Sequence, residues 1–266
     1  MRKSRPHPVK NEGPKFAAAS ETVVFGVLPV LESLKAERRS VEKVLIAEGS
    51  RERRFAEVMD VCRQRGIAWS HVSRDKIAGL VPPGANHQGI VALVSPASYV
   101  EVDEMISASE TPLIVLLDGI EDPRNLGAVI RTAECAGADG VIIPERRAVG
   151  LNETVARSSA GALEYMRVAR SGNLNRTIEE LKRNDIWVVG TSIDASIDHT
   201  QWDWRLPSAL VLGSEGSGLH RLVAENCDTL VKIPMYGKID SLNVSVAAGV
   251  ILFEARRQRS AGNEDL

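Results

Sequence analysis

The sequence predicts an α/β protein, which its apolar runs indicate and which its length and composition permit. Five short apolar runs rich in β-branched residues occur in the second half, with helix-like sequence between them. This alternation is typical of a parallel sheet that is covered by helices on both faces. The 266 residues are 44% hydrophobic and 26% charged, which allows one large domain or two ordinary ones and excludes disorder for most of the chain.

The first part of the chain predicts a basic tail followed by a small α/β domain. Residues 1–19 are basic, contain prolines and show no apolar periodicity, so we expect a flexible tail. Residues 20–98 alternate between helical and strand patterns. The predicted helices are 28–38 and 53–65, and the predicted strands are 43–47, 68–72 and 90–94. The acidic, polar segment 99–111 is predicted to be a linker.

The second domain is predicted to span residues 112–258, with a short tail at 259–266. Its strands are predicted at LIVLL (113–117), GVIIP (140–144), IWVVG (186–190), ALVLG (209–213) and LVKIP (230–234). A last helix at 242–257 is apolar nearly all round at its start and basic at its end. We therefore expect it to begin buried and to emerge at its C-terminus, where cations suit the helix dipole.

The formal net charge of −2 hides an asymmetry between the two halves. Residues 1–98 carry 16 Lys and Arg against 10 Asp and Glu, whereas residues 99–266 carry 17 against 25. Such a split suggests two domains with different tasks, the basic one suited to phosphate. A solvated surface of mixed charge is the alternative interpretation.

Several classes of protein are disfavoured. No apolar run approaches the roughly 20 residues of a membrane span, and the basic N-terminus lacks the apolar region of a secretory signal. Cys62, Cys135 and Cys227 are odd in number and form no CxxC pair. We therefore expect a cytoplasmic protein with reduced thiols, no metal site and no membrane association.

Three polar segments follow predicted strands, at the sheet edge where α/β proteins bind ligands. They are LDGIEDPRNLGAVIRTA (117–133), LVLGSEGSGL (210–219) and IPMYGKIDSLNVSVAAGV (233–250). Each also has a purely structural interpretation. Asn125 could cap a helix on whose surface Arg131 lies, and Ser241 or Asn243 could cap the last helix. The glycine-rich loop could be a tight turn, since it has neither the G-x-G-x-x-G pattern nor the Lys-Ser/Thr of a P-loop.

In this order, the three segments closely resemble the signature motifs of the SpoU/TrmH class of RNA ribose 2′-O-methyltransferases, over about residues 113–257. FGVLPVLESL (25–34) and HQGIVALV (87–94) are similar to that family's substrate-binding domain, which is ribosomal-protein-like. The resemblance implies a parallel-sheet SPOUT domain with a deep C-terminal trefoil knot, an exception to the usual threading rule. It also implies a homodimer with its site near the interface, and S-adenosyl-L-methionine as the cofactor.

The resemblance also implies site residues. Cofactor contacts fall on Gly213, Ile233 and Leu242, with Gly190 and Thr191 as neighbours. The catalytic candidates are Asn125, Arg131, Glu215, Ser241 and Asn243. The reaction displaces a sulfonium methyl group by a ribose 2′-hydroxyl, so the site must remove the hydroxyl proton or stabilise the developing alkoxide.

Each catalytic candidate has an expected role. Arg131 matches the arginine that is often assigned as the base in this family. Because a guanidinium stays protonated, we hypothesise that Arg131 grips the adjacent phosphate and stabilises the oxyanion. The remaining four candidates would act by positioning. Asn125, Ser241 and Asn243 would orient the ribose and the arginine, and Glu215 would orient the loop and the arginine.

The expected substrate is a guanosine of 23S ribosomal RNA, bound chiefly through its phosphates because aromatic residues are too sparse for a stacking platform. The tail and Arg51, Arg53, Arg54, Arg63 and Arg65 are the expected phosphate contacts, unless they form an ordinary solvated face. His87 could contact RNA or shape a turn, and His220 is expected to be a surface helix residue.

Other functions remain open at this stage. Transfer RNA guanosine methylation is the nearest alternative, followed by ribosomal RNA adenosine methylation of the antibiotic-resistance type. A non-catalytic RNA-binding factor is disfavoured by the intact candidate residues. A nucleotide-dependent oxidoreductase is disfavoured by the missing early G-x-G-x-x-G.

Overall fold

Two β-sheets organise the chain, one on each side of the segment 99–111. The structure is a computed structural model that describes residues 22–36, 38–49 and 52–261. A four-stranded sheet forms before this segment and a seven-stranded sheet after it. The tail expected at residues 1–19 lies outside the described residues, as does Arg51.

The first sheet is mixed and has the strand order β1-β4-β2-β3. Its strands are β1 (Thr22–Phe25), β2 (Val41–Ala47), β3 (Ala68–Val72) and β4 (Ile90–Val94). Its helices are α1 (Val27–Ala36), α2 (Ala56–Arg65), which follows a 3₁₀ turn at Glu52–Arg54, and α3 (Arg74–Ala78). β4 runs antiparallel to β1 and β2, whereas β2 and β3 are parallel. The predicted strands and helices of this part are confirmed.

His87 shapes the turn that leads into β4. Its Nδ1 accepts a hydrogen bond from the Gly89 N–H at 3.1 Å, and the residue is buried. The neighbouring Gln88 has a positive φ of 55° and accepts a hydrogen bond from the Val27 N–H through its Oε1 at 3.1 Å. Of the two interpretations of His87, the structure supports the turn.

The second sheet is entirely parallel and has the order β7-β6-β5-β10-β8-β11-β9. Its strands are β5 (Leu113–Asp118), β6 (Gly140–Pro144), β7 (Val168–Ser171), β8 (Trp187–Thr191), β9 (Ile197–Asp198), β10 (Ser208–Gly213) and β11 (Thr229–Lys232). Its helices are α4 (Val102–Ile106), α5 (Pro123–Cys135), α6 (Glu153–Ser158), α7 (Leu174–Arg183), α8 (Arg221–Asn226) and α9 (Val244–Ala261).

Helices cover both faces of this sheet, as the apolar runs predict. Leu113, Val115 and Leu117 of β5 belong to the core on the side of α5, α6 and α9. Ile114 and Leu116 of the same strand belong to the core on the side of α4, α7 and α8. Because successive side chains of a strand point to opposite faces, a strand covered on both sides reads as an unbroken apolar run.

Two strands of this sheet were not predicted. β7 contains only two buried apolar residues, Val168 and Ala169, followed by the exposed Arg170. β9 has only two residues. Both lie at the edges of the sheet, where a strand does not need a long apolar run. The trefoil knot stays a prediction, because strand order and register do not specify how the chain threads.

The segment 99–111, which is predicted to be a linker, contains secondary structure of its own. Val100 forms a parallel bridge to Ala169, and α4 packs on the second sheet. Met105 of α4 is fully buried and lies so close to Gly140 that any side chain there would collide with it. The acidic residues of the segment are exposed, which explains why its composition resembles that of a linker.

The last helix, α9, is buried on one face only. Its buried residues are Val244, Ala248, Ile251, Leu252 and Ala255. The opposite face exposes Val246, Val250 and Phe253 by 50%, 38% and 51%. The expectation that the start of this helix is buried all round is therefore wrong. Arg259, which was assigned to a C-terminal tail, lies in the helix and donates a hydrogen bond to the Trp204 carbonyl oxygen at 2.8 Å. The last five residues, 262–266, lie outside the described residues.

The two sheets are joined by a buried ion pair as well as by the chain. Arg39, between α1 and β2, donates from Nε to Glu164 Oε2 at 2.8 Å and from Nη2 to Oε1. The two side chains are 5% and 3% exposed. Next to this pair, the Tyr165 hydroxyl donates to Glu32 Oε2 at 2.5 Å. Burial and this carboxylate raise the pKa of Tyr165 to about 12. Part of the contact between the two domains is therefore water-excluded and charged.

None of the helices that the structure describes is long and apolar enough to cross a membrane.

Candidate active site

A cavity of about 420 Å³ opens at the carboxyl ends of β8, β10 and β11. The segments that follow these strands form its walls: 191–194 after β8, 212–219 at the end of β10, and 231–247 around the end of β11 and the start of α9. Ligand sites of parallel α/β sheets lie at this edge. The predicted location of the site is therefore the location of this cavity.

The loop 213–218 is a closed turn. The Ser214 and Gly218 backbones exchange hydrogen bonds, N–H to O at 3.1 Å and 2.9 Å. The chain returns so closely that a Cβ on Gly213 would collide with the Gly218 carbonyl group and with the Leu219 nitrogen. Only glycine fits at position 213, because the neighbouring atoms are backbone and cannot move aside. This glycine-rich loop is thus a tight turn that lines the cavity.

The far end of this loop is tied to β5 by a residue that the sequence did not reveal. Asp118, the buried last residue of β5, accepts a hydrogen bond from the His220 backbone N–H at 2.7 Å. Its other oxygen lies 2.9 Å from Nδ1 of the same histidine. His220 was expected to lie on a surface helix, but it precedes α8 and holds the loop in place. The two residues are 102 positions apart, so no local pattern announces the contact.

Three of the predicted catalytic residues meet beside the cavity. Asn125 donates from Nδ2 to Glu215 Oε1 at 2.9 Å. Asn243 donates from Nδ2 to the same oxygen, and to Asn125 Oδ1 at 3.1 Å. One carboxylate oxygen therefore links α5, the loop after β10 and the start of α9. A carboxylate held in this way can fix the direction of amide groups that contact a substrate.

The cap expected for the last helix is confirmed at Asn243, whereas the cap expected for α5 at Asn125 is wrong. Asp122, rather than Asn125, caps α5 by accepting a hydrogen bond from the Arg124 N–H at 2.7 Å. Asn125 lies in the first turn of that helix, and its amide is free to join the cluster with Glu215. Asn243 does cap α9, because its Oδ1 accepts from the Ser245 N–H at 3.0 Å. Ser241 lines the cavity.

Arg131 stands apart from this cluster. It lies on α5, is exposed, and forms no hydrogen bond or ion pair within the part of the chain that the structure describes. α5 packs against α9, which carries the exposed apolar face described above. The structure does not bring Arg131 together with Asn125, Glu215 and Asn243 within one chain.

The predicted cofactor contacts are divided by the structure. Gly213, Ile233, Leu242 and Thr191 line the cavity. Gly190 lies beneath its wall, since a Cβ there would be 2.7–2.9 Å from side-chain atoms of Leu230, Cys227 and Leu219. The sequence did not single out Asp194 and Asp240, which also line the cavity. An exposed aspartate in a loop is too common to be singled out from sequence alone.

The arginines expected to bind phosphate have mixed surroundings. Arg53 and Arg54 are exposed before α2. Arg63 forms an ion pair with Asp60 at 2.9 Å, and Arg65 donates to the Leu34 carbonyl oxygen. Their contact with RNA stays a prediction. No group of three or more His, Cys, Asp or Glu among residues 22–36, 38–49 and 52–261 is arranged to hold a metal ion.

Comparison with known families decides the class of protein. The model described as the SpoU rRNA Methylase family matches residues 112–253. The chain belongs to the SpoU family. A second model, described as RNA 2′-O ribose methyltransferase substrate binding, matches residues 23–100. The resemblance inferred from the three motifs is confirmed, and the protein is an RNA 2′-O-methyltransferase of the SpoU/TrmH type.

Relatives and solved structures extend over nearly the whole chain. YacO of Bacillus subtilis, named for the TrmH family of tRNA/rRNA methyltransferases, is 45% identical in sequence. The match covers 91% of this chain and 97% of the YacO chain. The SpoU methyltransferase AviRb from Streptomyces viridochromogenes, in complex with AdoMet, has a TM-score of 0.77 at 28% identity and 92% coverage of both chains. An AdoMet-bound rRNA methyltransferase from Sinorhizobium meliloti has a TM-score of 0.75 at 27% identity, over 90% of this chain and 87% of its own.

A third solved structure is similar over a shorter range. This structure is described in terms of 2-OH methylation of C/U34 on tRNA. It has a TM-score of 0.53 at 26% sequence identity. The similarity covers 57% of this chain but 99% of that one.

The cavity suits the cofactor of this family, S-adenosyl-L-methionine. Its volume lies in the range of about 300–1,000 Å³ typical of small-molecule sites. Leu212, Leu219, Ile233 and Leu242 provide apolar walls for an adenine ring. The carboxylates of Asp194 and Asp240 can accept hydrogen bonds from hydroxyl or ammonium groups.

Proposed function

We propose that this protein methylates the ribose 2′-hydroxyl of a guanosine in 23S ribosomal RNA. The observation that carries the proposal is the substrate-binding domain at residues 23–100. The similar structure described as an rRNA methyltransferase covers 90% of this chain, whereas the one described for tRNA covers 57% and is itself almost fully covered. The additional domain therefore favours a substrate of the kind named for the longer proteins. We place the protein in the cytoplasm, because RNA-modifying enzymes of this family are generally cytoplasmic.

In this proposal the cluster around Glu215 orients the acceptor ribose. S-adenosylmethionine, when bound, supplies an electrophilic sulfonium methyl group. The Glu215 carboxylate holds the amides of Asn125 and Asn243 in fixed directions. The second N–H of the Asn125 amide, with Ser241 at the cavity wall, would direct the 2′-oxygen toward the cavity, while Asn243 holds Asn125 in place. The free-energy cost of aligning the two reacting atoms is a large part of the activation barrier in such a displacement.

Arg131 is proposed to bind the phosphate next to the target and to stabilise the developing alkoxide. Its guanidinium is exposed and unpaired within the described chain, so it is available to an anion. A guanidinium stays protonated at ordinary pH, and therefore it serves better as an anion-binding group than as a base.

The test of this role is the Arg131→Ala variant, with Arg131→Lys beside it. We expect Arg131→Ala to lose at least about 100-fold in kcat while S-adenosylmethionine binding measured by calorimetry is unchanged. Near-normal turnover by Arg131→Ala would end the assignment.

A homodimer formed through α9 is also proposed. Val246, Val250 and Phe253 are spaced by four and three residues and share one exposed face. Arg131 lies on α5, the helix that packs beside α9, so this interface is close to the proposed site. We expect Phe253→Asp to shift the mass in sedimentation equilibrium from dimer to monomer; a wild-type monomer would refute the proposal.

The substrate is tested by mapping 2′-O-methyl groups in RNA from cells with and without the protein. The proposal predicts the loss of one guanosine mark in 23S ribosomal RNA. Loss of a transfer RNA mark instead, or of an adenosine mark in ribosomal RNA, would replace it with the corresponding alternative. An unchanged map together with absent S-adenosylmethionine binding would exclude catalysis altogether.

A further inference from the structure

The mouth of the cavity carries an unusual concentration of exposed apolar side chains. Ile193 is 63% exposed, Met235 37%, Tyr236 97% and Ile239 71%. Ile193 and Met235 line the cavity, and Tyr236 and Ile239 lie in the same loop as Met235, between β11 and α9. Exposed apolar residues scattered singly need no explanation, whereas a cluster beside a ligand cavity marks a contact surface.

Tyr236 is the most exposed member of this cluster. Its neighbour Met235 faces the cavity, while the ring of Tyr236 projects into solvent. Residues on both sides of it in the loop, Ile233 and Asp240 to Leu242, also line the cavity. The loop therefore holds an aromatic ring at the edge of the cavity without using it for packing.

We propose that Tyr236 stacks on a nucleobase of the RNA substrate, at the target nucleotide or the one next to it. This inference rests on the proposed function, because it needs an RNA ribose at the mouth of the cavity. In a nucleotide, the base is attached to the carbon next to the one that carries the 2′-hydroxyl. When that hydroxyl points into the cavity, the base remains at the mouth, where the Tyr236 ring offers it a flat apolar surface.

Stacking on aromatic side chains is the common way in which proteins hold unpaired RNA bases. A ribose inside a helix is flanked by its neighbours, so a nucleotide that enters a cavity has to leave the stack and loses base contacts. The Tyr236 ring replaces part of that loss. Lys238, two residues further along the loop, is exposed and can contact the phosphate of the same strand.

A second copy of the chain is the competing occupant of this surface. The dimer proposed above uses the α9 face of Val246, Val250 and Phe253, which is a different set of residues. Those residues form a regular helical face, as expected for packing against another helix. Tyr236 lies instead on an irregular loop beside the cavity, where the RNA of the proposed function would enter.

The experiment compares Tyr236→Phe, Tyr236→Leu and Tyr236→Ala in the full-length protein. The probe is total RNA from cells that lack the protein, and the measured quantities are KM and kcat for methyl transfer. Tyr236→Phe keeps the ring and is expected to stay within about twofold of wild type. Tyr236→Leu and Tyr236→Ala are expected to raise KM by about 5- to 150-fold, the range of one lost aromatic–base stack, with a smaller effect on kcat.

Controls separate stacking from other roles of the loop. Calorimetry with S-adenosylmethionine is expected to give the wild-type affinity for all three variants. Leu206→Ala removes an exposed apolar side chain just before the amino end of β10, whereas the cavity lies at the carboxyl end of that strand. This variant is expected to leave KM unchanged.

The outcomes are distinct. Equal KM values for Tyr236→Ala and wild type, or a Tyr236→Leu variant as good as Tyr236→Phe, would overturn the stacking role. Dissociation of the dimer by Tyr236→Ala would assign the ring to a second copy and also overturn it. If the wild-type protein methylates no RNA at all, the proposed function fails first, whereas an active wild type with insensitive variants refutes only this inference.

Discussion

Replacing Glu164 by alanine should strongly destabilise the contact between the two domains. In the native protein, the Arg39 guanidinium donates twice to the Glu164 carboxylate and once to the Ser95 carbonyl oxygen, at 3.4 Å. The two charged side chains are only 5% and 3% exposed. Removing the carboxylate leaves a buried cation with one long hydrogen bond, and the surrounding atoms cannot replace its lost hydration.

The magnitude follows from this burial. Breaking a buried ion pair by removing one partner costs about 3–5 kcal/mol, whereas an exposed pair contributes about 0–1 kcal/mol. At about 1.4 kcal/mol per factor of ten, the loss corresponds to two to four powers of ten in the unfolding equilibrium constant. Replacing both partners by apolar residues, in Arg39→Met with Glu164→Leu, should recover most of the loss because no unpaired charge remains.

The assay is urea unfolding followed by tryptophan fluorescence. Glu225→Ala is the matched control, since it breaks an ion pair with Arg221 in which the side chains are 54% and 75% exposed. We expect this control to stay within about 1 kcal/mol of wild type. A Glu164→Ala variant as stable as Glu225→Ala would refute the reasoning, because it would mean that the site admits water.

Two further predictions concern the cofactor loop and the stability at low pH. Gly213→Ala should abolish S-adenosylmethionine binding in calorimetry, because the Cβ of the new alanine would collide with the backbone of Gly218. Gly216→Ala is the control, since a Cβ there meets open space and the variant should bind the cofactor normally. Equal binding by both variants would contradict the assigned loop geometry. The hydrogen bonds from Arg257 lower the pKa of Glu254 to about 2 from the ordinary 4.5. Glu254 therefore stabilises the fold above pH 4.5, and this contribution is lost as the pH falls toward 2. Glu254→Gln should make acid unfolding less steep over that interval, and an unchanged profile would contradict the assignment.

The sequence predicted most of the parallel sheet because its strands are buried on both faces. All five predicted runs correspond to strands, since a strand covered on both sides has no polar positions to blur the pattern. The edge strand at Val168–Ser171 was not predicted, because its exposed Arg170 interrupts the apolar pattern. In this sheet, the strands that could be predicted are those with an unbroken apolar run.

The candidate site was predicted through motifs, and the contacts that hold it together were not. Asn125, Glu215 and Asn243 were named from their motifs, and they do meet through one carboxylate oxygen. The link between Asp118 and His220 spans 102 positions and depends on the neighbouring placement of β5 and β10. Such contacts follow from strand order, which the sequence pattern leaves undetermined.

The buried ion pair between Arg39 and Glu164 limits how far apart two contacts on one RNA can lie when each domain makes one of them. Because this pair restrains how the two domains sit against each other, we expect the span from the substrate-binding domain to the cavity to vary little. Under the proposed function, an RNA would then have to present both its recognised feature and its target ribose at that spacing. Selection by this spacing depends on how the RNA is folded, so a transcript with the right bases and the wrong three-dimensional shape would be left unmodified.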